Sequence, residues 1–445
     1  MIILISDFDL RGSGYMHIAV SLCNELVTKH DRQVTALGIG YDYSEHNWPF
    51  SIIPVRHAEW GRHIPAMIHN FLSMAENGMW HKIEAIVVAL DIPLQERMLK
   101  YDRGGLPYVG VFPVESGPLC SSWAMTIAKM NQSLVISQFG LKMMEDAGLD
   151  GGYLPIGIDT ESWRMTEPKE RKMIRDSLGY KDDEFIILSV ADNQERKYLS
   201  LAAQMVRDLR KKGVNAKWVL VTRVDCPVGW KLDDLAFSFD ITDHFTKFDK
   251  GLPFDRLWML YASSDVFLLT SKAEGLCLPI LEAMATGLPV VASHCTAIPE
   301  HIYEQPDWSR CREGSWHRGK PKGQRGFGID IEYKTIDPWG NSVRSFASAK
   351  HGVKLLYKVY KMNPSKKEQL VKVAREYAVT RTWARAGDVL EKAIVDSIPE
   401  QKVETPYMMP PDSGLPASAP RPLPPMLEGS LGNGQVKEQD ENQEA

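Results

Sequence analysis

The sequence predicts an α/β protein built from two parallel-sheet domains, and three observations predict it. Short apolar runs alternate with longer amphipathic segments along most of the chain, the pattern of parallel strands covered by helices. At 445 residues the chain is too long for one compact core. The runs also fall into two series of similar architecture, joined by a charged, turn-rich stretch from Asp159 to Asp183 that reads as a connection.

In the first series Ile2–Ser6, Val34–Leu37, Ala85–Leu90, Tyr108–Phe112 and Leu134–Ser137 read as buried strands, and His17–Thr28 reads as the helix between the first two. The second series is Phe185–Val190, Lys217–Thr222, Val266–Thr270 and Pro289–Ala292, with Gly326–Ile331 strand-like further on. Lys366 to Ile398 is helical in pattern and carries Trp383. From about Pro399 the composition changes: nine of the 27 prolines fall here, before a Gly, Asn, Gln, Glu and Asp ending. Such a segment buries too little apolar area to offset its ordering entropy and is expected to be disordered. Within it Pro420–Pro425 (PRPLPP) suits a polyproline-binding partner, although a solvated tail is the plainer reading.

A net charge of −5 and a hydrophobic fraction of 44% give no reason to expect nucleic acid as a partner and suit a globular protein. No apolar run is long enough to span a bilayer, and the opening MIILISDFD reads as a buried strand rather than a leader. The six cysteines show no CxxC spacing, so a reducing cytoplasm is expected rather than a disulfide framework or zinc site.

Chemistry concentrates in residues 271–293, SKAEGLCLPILEAMATGLPVVAS. Glu274 and Gly275 lie in a loop, Pro279 starts a helix with Glu282 in its first turn, and Gly287 ends it. A glycine loop opening a helix N-terminus exposes unpaired N–H groups and a partial positive charge suited to phosphate. Carboxylates on either side suit sugar hydroxyls. Two glutamates eight apart are by themselves ordinary solvated charges, but the whole string resembles the E-x7-E signature of family-4 retaining glycosyltransferases (glycosyl transferases group 1).

Further segments extend the resemblance over roughly residues 1–398: Leu134–Phe139, Tyr153–Thr160, Ile298-Pro299-Glu300 and Arg381-Thr382-Trp383. It implies the GT-B architecture, two Rossmann-like domains facing a central cleft. The expected division is an acceptor-side domain over 1–160, a nucleotide-sugar-binding domain over 161–375, a helix crossing back over 376–398, and the tail over 399–445. It also implies that Glu282 binds the donor ribose and Glu274 the transferred sugar. Backbone N–H groups of Gly275, Leu276, Cys277 and Leu278 would hold the diphosphate together with Arg196 and Lys197. Ser13-Gly14, where Gly-Gly is usual, would face the donor across the cleft.

Three departures from the family pattern stand out. Ala191-Asp192 occupies the place of a Gly-Arg pair. The zone around Gly110–Pro118 lacks the histidine common in relatives, leaving Glu115 as the polar substitute, with His17 and Asp91 as weaker candidates. A basic insert, Arg310–Arg325, would be a docking site for a membrane surface or anionic acceptor, or simply a solvated loop. Asp7-Phe8-Asp9 spells D-x-D but sits at the end of strand one, so these residues read as loop and cap residues and no metal is expected. No cofactor is expected either, since the nucleotide-sugar is a substrate. The acceptor stays open among a glycan, a lipid-linked group and a protein. A nucleotide-sugar epimerase, a non-catalytic binding protein and a scaffold acting through the tail are the alternative readings.

Overall fold

A run of four fully buried residues, Ile2 to Ile5, forms the centre of the first sheet. Both faces of a parallel sheet are covered by helices, so its central strands are continuously apolar. In the computed structural model, which describes residues 1–9, 13–57, 60–308, 322–338 and 341–399, this run is β1 (Ile2–Asp7). It is joined by β2 (Val34–Ile39), β3 (Ser51–Val55), β4 (Ala85–Ala89), β5 (Tyr108–Phe112), β6 (Gln132–Val135) and β7 (Gly152–Tyr153). The order is β3-β2-β1-β4-β5-β6-β7, every pair parallel. Its helices are α1 (Gly14–Thr28), α2 (Trp60–Glu76), α3 (Ile92–Met98), α4 (Ser121–Ile127) and α5 (Gln138–Asp146). On α1 the buried residues Met16, Ala19, Cys23 and Leu26 recur at helical spacing, and Ser13 caps the N-terminus by accepting from Met16 N–H.

The second sheet follows α6 (Pro168–Ser177). It contains β8 (Phe185–Val190), β9 (Ala216–Thr222), β10 (Phe245–Asp249), β11 (Val266–Leu269) and β12 (Val290–Ser293). Its helices are α7 (Leu199–Arg210), α8 (Leu232–Ser238), α9 (Phe254–Ser263), α10 (Leu278–Ala285) and α11 (Ile298–Ile302). The short pair β13 (Tyr303–Gln305) and β14 (Lys322–Gln324) precedes β15 (Phe327–Ile329), which completes the sheet in the order β10-β9-β8-β11-β12-β15, again parallel. An antiparallel hairpin follows, β16 (Ile331–Asp337) and β17 (Ser342–Ala347). Helices α12 (Ala349–Tyr360), α13 (Pro364–Val379) and α14 (Trp383–Ser397) complete the described chain.

The expected α/β class and GT-B architecture hold. The strands absent from the sequence reading are the short pairs β13–β14 and β16–β17, the two-residue edge strand β7, and two longer edge strands, β3 and β10. Pro54 and Lys247 interrupt them and most of their residues are partly exposed, so they lack a buried apolar run. The connection expected over Asp159–Asp183 contains α6. Of the basic insert, residues 322–325 are described and supply β14. The remainder up to 321, and the proline-rich segment from 400 on, lie outside the described residues, so the docking expectations placed on them have no structural account.

Each sheet reverses its winding once, between β1 and β4 and between β8 and β11. In open parallel sheets, ligands bind beyond the carboxyl ends of the strands at such a reversal. The two carboxyl edges meet: Asp9 after β1 pairs with Lys250 after β10 at 3.4 Å, and Phe139 N–H on α5 donates to Glu300 on α11 at 3.1 Å.

The helical pattern expected from Lys366 to Ile398 is two helices with a break at Thr380–Thr382, and the crossing helix expected over 376–398 spans Trp383–Ser397. Helix α13 packs on α10 and α14 on α1, so the break is where the chain returns to the first sheet. It runs beside the outward crossing: Ile158 N–H donates to Arg381 O at 3.0 Å, and the Arg381 guanidinium bonds Tyr153 and Ile156 O. Gly157 makes the approach possible, because a Cβ there would lie 2.4 Å from Trp383 N and 2.6 Å from Thr382 C. Backbone atoms on both strands leave nothing flexible to yield. Gly157→Ala is therefore expected to destabilise by about 1–3 kcal/mol or more, read as a lowered urea midpoint at unchanged m-value.

Candidate active site

The loops after β8 and β11 carry the residues singled out in the sequence. After β8 a single tight turn, Glu195–Lys197, precedes α7 and presents Arg196 and Lys197. After β11, Ser271–Cys277 leads into α10. The loop is pinned by Lys272, which pairs with Glu195 and lies over the rings of Tyr198 and Phe346, and by Thr296, whose hydroxyl accepts from Glu274 N–H and donates to Glu274 O.

Glu274 is 4% exposed. Lys197 Nζ lies 2.6 Å from Oε1 and Arg196 Nη1 3.2 Å from Oε2, and Ser271 donates a further hydrogen bond. Burial by itself would raise this carboxyl, but Lys197 and Arg196 overcome that and hold it down at about 2. Arg196 also reaches Glu115 Oε1 at 3.2 Å. The four residues expected to carry catalysis, Glu274, Arg196, Lys197 and Glu115, are thus brought into one network. Arg196 and Lys197 are not free cations awaiting a phosphate: each is engaged with a carboxylate.

Leu278, not Pro279, opens α10, so Pro279 is its second residue and Glu282 lies beyond the first turn. Cys277, immediately before the helix, has φ +77°. A left-handed non-glycine residue costs on the order of 1–3 kcal/mol, and here it turns the chain into α10. Among the described residues, the N–H groups of Gly275, Leu276, Cys277 and Leu278 donate no hydrogen bond. The site therefore keeps the unpaired donors that an oxyanion requires. Glu282 stands apart from the ion-pair network. Its Oε2 accepts from Tyr261 OH at 2.6 Å, and burial pushes it up to about 7 against that hydrogen bond.

Gly275 and Leu276 also hold the two sheets together. A Cβ on Gly275 would lie 2.1 Å from Pro113 Cβ, and Leu276 is buried in the core around β1 and α1. Ser13 is spent on capping α1, whereas a Cβ on Gly14 would have nothing within 4 Å. Asp7 accepts from Asp9 N–H at 2.9 Å, forming a local turn. His17 is exposed on α1. Asp192, in the place of the relatives' arginine, is bound by Arg223.

Three more residues join the cluster. Tyr15, in the first turn of α1, hydrogen-bonds Asp91 after β4. Burial raises Asp91 against that bond, and burial raises Glu115 too, with Arg196 opposing and Asp91 and Glu274 adding. Arg344 of β17 approaches Glu115 Oε2 at 3.7 Å. Tyr15 follows Gly14 directly, so its place beside the strand-one turn was a usable signal. Arg344 had none.

Comparisons with known proteins agree with this geometry. Residues 170–306 match the family profile of glycosyl transferases group 1. A sulfoquinovosyl transferase of Arabidopsis thaliana is 30% identical over 151 residues, 34% of this chain and 27% of that protein. A GDP-mannose-dependent phosphatidylinositol monomannoside mannosyltransferase of Mycolicibacterium smegmatis is 25% identical over 185 residues, 40% of this chain and 46% of that protein. The chain thus spans less than half the length of these curated relatives. Among solved structures, sucrose-phosphate synthase of Thermosynechococcus elongatus superposes with TM-score 0.64 at 14% identity, over 88% of this chain and 97% of that one. Anabaena HepE in complex with UDP-glucose gives 0.63 at 12%, over 88% and 99%. The fold is that of the GT-B glycosyltransferases.

Glu300 generates a test of how the two sheets are coupled. It is 6% exposed and caps α5 through Phe139 N–H, yet burial raises its carboxyl to about 7. The folded state then binds the proton more tightly than the unfolded chain, whose glutamates titrate near 4.3. This group's contribution is complete below the unfolded value and is lost as pH rises through about 7. Urea titrations of wild type and Glu300→Gln should show wild type losing stability relative to the variant between pH 5 and 8. A pH-independent difference would contradict the assignment.

Proposed function

We propose that the chain is a retaining, metal-independent glycosyltransferase that moves a sugar from a nucleotide-diphosphate-sugar to an acceptor. The observation that carries this reading is Glu274 with Lys197 and Arg196, next to the N–H groups of Gly275–Leu278, which lead into α10 and donate no hydrogen bond among the described residues. Relatives and structural neighbours named for GDP-mannose and crystallised with UDP-glucose support a nucleotide-sugar donor. They differ in base, so the base is not part of the proposal. A cytoplasmic setting belongs to the reading.

In the proposed reaction an acceptor hydroxyl attacks the anomeric carbon on the face that the phosphate leaves. The carbon–oxygen bond to the β-phosphate breaks, and the departing phosphate oxygen takes the hydroxyl proton. The protein supplies orientation and charge stabilisation. Glu274 holds the sugar hydroxyls as a permanent carboxylate, and the N–H groups of Gly275–Leu278 meet the charge developing on the diphosphate. Arg196 and Lys197 stay paired with Glu274 and offer their remaining N–H donors to the phosphate as the donor enters. Glu282 takes the ribose hydroxyls, and Glu115 lines the acceptor side. Domains divided at about residue 160, with a returning helix at the C-terminal end, would open and close around the donor.

The test is a screen of UDP-, GDP- and ADP-sugars for nucleoside diphosphate release with and without acceptor saccharides. Acceptor-dependent release with retained anomeric configuration is expected, and Glu274→Ala and Lys197→Ala should each lower it by about 10²–10³-fold. Conversion of the donor sugar without acceptor would instead support an epimerase. Tight binding with no turnover would support a non-catalytic binder.

A further inference from the structure

Arg344 sits in the middle of β17, and its side chain is 5% exposed. Its Nη1 lies 3.7 Å from Glu115 Oε2 and its Nε 3.8 Å from Asp337 Oδ2, both beyond hydrogen-bond reach. Among the described residues neither Nε nor Nη1 has a hydrogen-bond partner. A guanidinium carries five N–H donors, and burying one on ion pairs of that length is costly.

Its two acid neighbours do not resolve this. Glu115 is already held by Arg196 at 3.2 Å through its other oxygen, so two guanidiniums share one carboxylate. Asp337 is partly open to solvent, at 27% exposure. Asp91, the other acid close enough to act on Arg344's neighbours, is engaged by the Tyr15 hydroxyl. Arg344 thus shares Glu115 with Arg196 and has no carboxylate oxygen within hydrogen-bond distance of its own Nε and Nη1.

The backbone on either side of Arg344 fixes where it can reach. Val343 N–H donates to Ser116 Oγ at 2.9 Å, next to Glu115 on the first sheet's side. Ser345 N–H donates to Lys272 O at 2.9 Å, in the loop that carries Glu274. The hairpin therefore spans both loops of the site and holds Arg344 between them.

We infer that Arg344 is a phosphate-binding residue of this site, its unpaired N–H groups closing on a diphosphate oxygen of the bound nucleotide-sugar. This deepens the transferase reading and rests on it. An acidic group on the acceptor would offer the same oxyanion chemistry. The choice of the donor follows from the Ser345–Lys272 bond, which ties β17 to the loop leading into Gly275–Leu278, whose N–H groups donate no hydrogen bond among the described residues.

The test is calorimetric titration of wild type, Arg344→Gln and Arg344→Lys, in the absence of acceptor, with UDP, GDP and ADP and with the matching nucleosides. For the nucleotide that wild type binds, Arg344→Gln should weaken the diphosphate by about 10–100-fold while changing nucleoside affinity less than about twofold, and Arg344→Lys should recover part of the loss. A purely structural Arg344 would instead weaken both ligands alike and leave the diphosphate-to-nucleoside ratio at its wild-type value, and that result overturns the inference. If Arg344→Gln does not fold, the ratio in Arg344→Lys decides, because lysine keeps the charge and loses the planar fork. An unchanged ratio there is equally fatal. Failure of wild type to bind any of the three diphosphates overturns the transferase reading and this inference with it, whereas wild-type binding with an unchanged ratio overturns only the role of Arg344.

Discussion

Glu274 is a carboxylate with almost no access to water, and its charge survives because Lys197 and Arg196 lie within 3.2 Å. An isolated buried charge costs several kcal/mol, so the loops after β8 and β11 must be held in register with one another. The rest of the site follows from that requirement. The turn Glu195–Lys197 sets the two cations, Thr296 and Lys272 clamp the Glu274 loop from either side, and Cys277 takes a left-handed conformation to lead it into α10.

The same network joins the two sheets. Arg196 reaches Glu115 after β5, Arg344 approaches it from β17, and Gly275 leaves room for Pro113. At the far end of the interface Glu300 caps α5, and the two chain crossings run side by side at Gly157 and Arg381. Both ends combine the two kinds of contact: ion pairs beside the Gly275–Pro113 packing near the site, and the Glu300 and Arg381 hydrogen bonds beside the close backbone approach at the crossings.

The sequence was most legible where local chemistry and burial agree. Phe185–Val190 and Tyr108–Phe112 are strands with the bounds the apolar runs indicate, because central parallel strands are buried on both faces. Edge strands carry no such signature, so β3 and β10 did not show. Within the site, Glu274, Arg196 and Lys197 were legible from the resemblance to a known family, which marks the residues without giving their partners. That Arg196 and Lys197 are engaged by carboxylates, and that Leu276 is buried in the opposite core, depends on how the two sheets meet. The start of α10 shifted by one residue because the left-handed Cys277 leaves no mark in residue type.

The sequence by itself determined the α/β class, the two series of strands and the motif around Glu274, since these rest on periodicity and on residues within one loop or turn. Only the tertiary structure decided that Tyr15, Asp91, Glu115 and Arg344 stand around that motif. They come from α1, from the ends of β4 and β5, and from a hairpin far along the chain. Contacts between residues so distant in sequence arise from the packing of one sheet edge on the other, and no local pattern of residues encodes that distance.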